Sequence, residues 1–305
     1  MRILVLGASG QVGSELGTQL ENVLSEGEQN YSLVLAGRSE VDVSNLSALR
    51  DFLRFHNPDF VINATAYTAV DDAETEVSHA YRVNEHAVRV MAEYCAAENS
   101  NLIHISTDYV FDGSGDLPVF EGNEVAPLGV YGASKLAGEE AIRAALTRYL
   151  ILRTAWVFGV SGANFVKTML YLSQTRNELG VVGDQYGAPT SARGIAKAIA
   201  TMVLQMSEAE SADDRWGTYH YTGYPFVSWA EFAREIIRQG NQRSIIFENP
   251  TVKAISTEQY PTPARRPHNS RLDCSKIAEV FGIEPDDWQA SLGEMLNEIK
   301  GVSLK

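Results

Sequence analysis

The stretch Val5–Leu16, VLGASGQVGSEL, decides the fold. A short apolar run, Ile3 to Leu6, enters glycines at positions 7, 10 and 13, and a helix opens behind them. Glycine allows a tight turn and close backbone approach, while the free N–H groups at a helix start attract an anion. A dinucleotide pyrophosphate suits such a turn, which would place Gly7, Gly10, Gln11, Val12 and Gly13 around it. The competing reading is a glycine-rich turn without a ligand; the strand before it and the helix after it favour the dinucleotide.

Outward from this turn, apolar runs with strand character recur at Leu33 to Ala36, Phe60 to Ile62, Leu102 to Ile105 and Tyr149 to Leu152. Between them lie segments with helical spacing, such as Leu46, Leu49, Phe52 and Leu53, then Val83, Ala87, Val90, Met91 and Tyr94. This alternation predicts an α/β fold with a Rossmann-like, doubly wound parallel sheet, whose ligands sit beyond the carboxyl ends of the strands. After about Trp156 the pattern loosens. Helical stretches at 193–206 and 229–238 alternate with short strands and with the loops DQYGAPT and YPTPARRPHN. The expected organisation is an NADP-binding domain over 1–160, with parts of 190–222 returning to it, and a smaller α/β substrate-binding lobe over 161–305.

Composition narrows the function. A chain of 305 residues, 45% hydrophobic, has ample core. A formal charge of −14 opposes binding to nucleic acid or anionic lipid. Cys95 and Cys274 are the two cysteines, which argues against a disulfide framework or zinc and suits a reducing compartment. No leader or bilayer-spanning run is legible, so the expectation is a soluble cytoplasmic protein without a metal.

The second strand ends in Ala36-Gly37-Arg38-Ser39, where an acid would bind the adenosine ribose of NAD. A cation and a hydroxyl favour NADPH, with NADH as the lesser option. The alternative for Arg38 is a solvated surface side chain. Asp42 and Val43 could line the adenine, and Ala64, Ala66 and Tyr67 follow the third strand at the cofactor's edge.

Tyr131 and Lys135, four apart in YGASK, share one helical face. An ammonium nearby can lower a phenol's pKa and let the pair shuttle a proton. The motif alone is weak. Its context is HISTDYVFDG, where Ser106 and Thr107 leave the fourth strand and a hydroxyl could hydrogen-bond a reacting oxygen, or else Ser106, Thr107 and Asp108 merely form a turn.

Together these features resemble the extended short-chain dehydrogenase/reductase family, and Asn84 in YRVNEHAV is similar to its usual helix asparagine. The likeness runs through GQVGSEL, NATAYTAVDDAE, STDYVFDG, YGASKLAGE, RTAWVFG, NFVKTML, DQYGAPT and YPTPARRPHNSRLD, nearly the whole chain. It implies that Tyr131 donates a proton to a ketone, that Lys135 holds the nicotinamide ribose and lowers the phenol pKa, and that Thr107 completes the catalytic set. Tyr109 becomes a packing neighbour. It further implies reduction, by NADPH, of the C4 ketone of dTDP-4-dehydro-L-rhamnose to dTDP-L-rhamnose, by a monomer or homodimer.

By the same resemblance Thr107 and Asp108 would hold the sugar. Trp156 would pack on the nucleotide-sugar or be ordinary core. Arg265 and Arg266 would meet the diphosphate or be exposed charges on a Pro-stiffened loop. Some relatives dimerise through an acid-bridged metal, but Arg193 in Ser191-Ala192-Arg193 replaces an expected acid, so no such bridge is expected. Asp71-Asp72 and Asp286-Asp287 read as solvated helix ends. Two other functions stay open: reduction of a different nucleotide-4-keto-6-deoxysugar, and a non-catalytic NADP-binding regulatory subunit.

Overall fold

The structure, a computed structural model, describes residues 1–26, 30–207, 209 and 213–300. Within the expected segments, residues 27–29, 208, 210–212 and 301–305 lie outside the described residues. The predicted strands form as β1 (Arg2–Leu6), β2 (Ser32–Ala36), β3 (Phe60–Asn63), β4 (Asn101–Thr107) and β5 (Tyr149–Thr154). The strand Gly217–His220 adds beside β5, giving the order Gly217–His220, β5, β4, β3, β1, β2. All five pairings are parallel. From β1 the chain goes first to one side and then to the other, so a crevice opens at the carboxyl ends of β1 and β3.

Alternation along each strand divides the core. Ile3, Val5, Phe60, Ile62, Ile103, Leu150 and Leu152 face the helices Gln11–Glu26 and Ala192–Met206. Leu4, Leu6, Val61, Leu102 and Ile151 face the other way, onto helices Leu46–His56, Ala87–Glu98 and Val130–Ala145. Strands buried on both faces read as continuous apolar runs, which is why five of them were legible.

A third cluster, including Phe158, Val166, Leu170, Phe232, Ile236, Trp288 and Leu292, gathers the later elements. There helices Phe165–Ser173, Trp229–Gln242 and Trp288–Ile299 pack with the parallel pair Glu178–Val182 and Thr251–Ile255. The helix at 229 runs further than its periodicity suggested and starts at a capping box of Ser228 and Glu231. Among the described residues no helix is long and apolar enough to cross a membrane.

Candidate active site

The glycine turn is built for close approach. Gly7 has φ +86°, and a Cβ on it would stand 2.8 Å from the Ala64 carbonyl carbon. Gly13 lets the helix Gln11–Glu26 close on the turn, since a Cβ there would lie 2.0 Å from the Gly7 oxygen. The N–H groups of Gly7 and Ala8 both donate to Ala36 O, at 2.8 and 3.0 Å. The first N–H groups of the helix have no intrahelical acceptor, and Gln11 and Val12 at its start line the groove. These features fit a dinucleotide.

Two cavities meet at Gly10, Ala64, Thr65 and Ala66, along the carboxyl ends of β1 and β3. One, of about 240 Å³, is lined by Gly7, Arg38, Asp42, Val43 and Tyr67. The other, of about 540 Å³, is lined by Gln11, Val12, Thr107, Asp108, Tyr131, Lys135 and Trp156. Ser39 departs from expectation: it does not line the groove, and its hydroxyl donates to Glu40 Oε1 at 2.8 Å. Glu40 is the acid that the reading of 36–39 stopped short of. Its other oxygen accepts from Gly37 N at 2.7 Å, and the Ser39 hydroxyl and this N–H hold the carboxyl below its usual range. The acid is thus turned back onto its own loop, leaving Arg38 exposed at the rim.

Asn84 lies in a π-helical turn, Arg82–His86, a local widening that recurs at functional sites. Its side chain accepts from Tyr67 N at 2.8 Å and donates to Tyr67 O and to Ser134 Oγ. It therefore clamps the segment after β3 to the helix Val130–Ala145, which carries Tyr131 and Lys135.

The two hydroxyls after β4 do different things. Ser106 Oγ donates to buried Glu139 at 2.5 Å and is committed to the helix above it. Thr107 donates to Asp108 Oδ1 at 3.0 Å and lines the same cavity as Tyr131. Burial raises the Asp108 carboxyl to about 6, opposed by the hydroxyls of Ser270 and Thr107. The Tyr109 ring meets Tyr131 edge-on, with centroids 5.4 Å apart.

Tyr131 is pushed up to about 12, by burial first, against the Thr107 hydrogen bond. This differs from the expected lowering by Lys135. The lysine is tucked beneath its helix, 1% exposed, where Nζ donates to Ile105 O at 2.6 Å and lies 3.1 Å from His104 Nε2. Burial pulls its ammonium down to about 8.

One turn further along, Glu139 is held by Arg153 through bonds of 2.9 and 2.7 Å and by Arg143 at 2.6 Å. Burial raises this carboxyl, but Arg153 and Ser106 prevail and hold it below its usual range.

The remaining expected residues divide. Trp156 lines the groove and also stacks on Trp229, with centroids 3.6 Å apart and planes 14° apart. Its φ of +50° places a bulky residue in the left-handed region, a strain that such sites retain. Arg266 grips Asp71 with two bonds, of 3.1 and 2.7 Å, and Arg265 is exposed; neither lines the groove. Asp71 is accordingly a tie for the 264–266 loop rather than a solvated helix end, and Asp286 likewise accepts from Ser191. Arg193 lies among Glu15, Glu294 and Glu298, at 3.1, 3.8 and 2.7 Å.

The parallel sheet and the groove joining a glycine turn to Tyr131, Lys135 and Thr107 define a Rossmann-type oxidoreductase. The family model described as "RmlD substrate binding domain" matches residues 1–300, and the chain belongs to that family. A dTDP-4-dehydrorhamnose reductase of Aggregatibacter actinomycetemcomitans is 42% identical over 291 residues, covering 95% of this chain and 97% of that protein. A crystal structure of a dTDP-4-dehydrorhamnose reductase from Clostridium acetobutylicum superposes with TM-score 0.88 at 35% identity, covering 98% and 99% of the two chains. That of Bacillus anthracis, in complex with NADP, superposes with TM-score 0.82 at 32% identity, covering 97% and 99%.

Proposed function

We propose that this chain reduces the C4 ketone of dTDP-4-dehydro-L-rhamnose to dTDP-L-rhamnose with NADPH, in deoxysugar and cell-surface polysaccharide biosynthesis. The observation that carries this reading is the single groove running from the glycine turn and Arg38 to the paired hydroxyls of Thr107 and Tyr131. NADPH, when bound, supplies the hydride. Gly7, Gly10, Gln11, Val12 and Gly13 would hold its pyrophosphate, Arg38 its 2′-phosphate, and Asp42, Val43, Ala64, Ala66 and Tyr67 its adenosine half.

Tyr131 is the acid. A phenol at about 12 keeps its proton at neutral pH and can give it to the more basic alkoxide that forms at C4. Asp108 holds the Thr107 hydroxyl, whose single proton would turn from that carboxylate to the same oxygen when the ketone binds. Lys135 orients the nicotinamide ribose, and Trp156 packs on the nucleotide-sugar. Residues 1–160, with parts of 190–222, form the cofactor half; most of 161–305 forms the sugar half. The same reading makes the protein a soluble cytoplasmic enzyme, monomeric or homodimeric. The free, buried thiols of Cys95 and Cys274 support a reducing compartment.

NADPH oxidation by the purified chain, first with this keto-sugar and then with other nucleotide-4-keto-6-deoxysugars, tests the proposal through the identity of the product. Turnover confined to another sugar overturns the substrate. Firm NADPH binding without turnover of any sugar overturns the enzymatic role in favour of a regulatory subunit. Arg38→Ala is expected to weaken NADPH about 10- to 100-fold, the scale of a lost charge-assisted contact, and to leave NADH within about twofold. Equal losses in a binding titration would remove Arg38 from the phosphate site.

A further inference from the structure

Beneath Lys135 lies a buried polar pair, Asn63 and His104, that the proposed reaction does not use. His104 on β4 sits directly beside Asn63 on β3, and both are 0% exposed. Asn63 Oδ1 accepts from Thr65 N at 3.0 Å and from Thr65 Oγ1 at 2.6 Å, which fixes the orientation of the amide. Its Nδ2, 3.0 Å from His104 Nδ1, can then only donate. Nδ1 must keep its lone pair.

Burial holds the imidazole neutral, so its single proton belongs on Nε2. That N–H points at Lys135 Nζ, 3.1 Å away, while Nζ itself donates to Ile105 O. An ammonium there would set two N–H donors face to face. A free amine instead offers a lone pair.

We propose that Asn63 and His104 are positioning residues that fix the imidazole proton on Nε2, favour the free amine of Lys135, and thereby set the alkaline end of the enzyme's working pH range. The other groups facing Lys135 do not do this. Glu139, one turn on, favours the ammonium but is already claimed by Arg153 and Arg143, and Asn84 across the helix is neutral. Tyr131, one turn back, keeps its proton through this range.

Asn63→Asp is a near-isosteric reversal. It keeps the acceptor for Thr65 and turns the atom facing Nδ1 from donor to acceptor. The proton then moves to Nδ1, Nε2 accepts from Lys135, and the ammonium is favoured. A carboxyl yields its proton to an amine, so this arrangement prevails over one in which the introduced carboxyl stays neutral.

The test uses the full-length 15N-labelled protein. Imidazole 15N–1H correlation spectra read the His104 tautomer, and kcat/KM for keto-sugar reduction is followed against pH. Wild type should show the Nε2–H tautomer and an alkaline limb below the ordinary lysine range, where burial and the imidazole N–H both disfavour the ammonium. Asn63→Asp should show the Nδ1–H tautomer, with the limb raised by about one pH unit or more.

An Nδ1–H tautomer in wild type, or a limb unmoved in a folded variant, overturns the inference. Should Asn63→Asp not fold, His104→Gln, whose amide can turn its oxygen to Lys135, must raise the limb in the same direction or the inference fails. The limb rests on the proposed reductase activity, whereas the tautomer does not. An inactive protein with Nε2–H would sink that activity alone, and an active one with Nδ1–H would sink this inference alone.

Discussion

Tyr131→Phe lowers kcat for keto-sugar reduction about 10²- to 10⁴-fold, the range of a positioned general acid, while NADPH affinity stays within about twofold. The phenyl ring keeps its edge-on contact with Tyr109, so the helix start and the groove wall are undisturbed. Only the proton is removed from the place where the alkoxide forms. Steady-state kinetics beside a fluorescence titration with NADPH separate the two effects. Full activity in the variant would hand the acid role to Tyr109, which lines the same groove, or to water.

The largest effect on stability is expected at Glu139. Glu139→Ala strands the Arg153 guanidinium, which is 2% exposed, beside a void, and removing one partner of such a buried pair costs about 3–5 kcal/mol. A urea melt at neutral pH should show it; a loss below about 1 kcal/mol would mean that Arg153 finds another acceptor. The acid side carries the matching signature. The carboxyl's folded value lies below its ordinary one, so its stabilisation is complete above the ordinary carboxylate range and disappears as pH falls through the folded value. The variant should lack that acid-side loss.

The Tyr131–Lys135 face was legible because a spacing of four residues needs no tertiary knowledge. The same spacing continues to Glu139 and Arg143, a signal that was there to be read. What it could not supply was Arg153, which arrives from β5, or His104, which meets Asn63 only because β3 and β4 are neighbours. Strand order is a property of the assembled sheet, and local pattern does not encode it.

For the same reason the sequence suggested two hydroxyls at the reacting oxygen. Strand alternation gives Ser106 to Glu139 and leaves Thr107. The resemblance offered Arg266 to a diphosphate; its grip on Asp71, 195 positions away in the chain, was not legible in local sequence. The lowered phenol expected from Lys135 fails because burial acts on both groups and drives them to their neutral forms.

The sheet's outermost member at the β5 side, Gly217–His220, and the helix Ala192–Met206 both come from the later half of the chain. The helix covers Leu16, Leu20 and Leu24, which would otherwise meet water. A fragment ending near residue 160 would therefore lack its own lid of apolar cover and precipitate instead of surviving as a miniature nucleotide-binding unit. The polypeptide is sewn through itself, with the strand Gly217–His220 and the helix Ala192–Met206 completing a sheet and core begun by the first half.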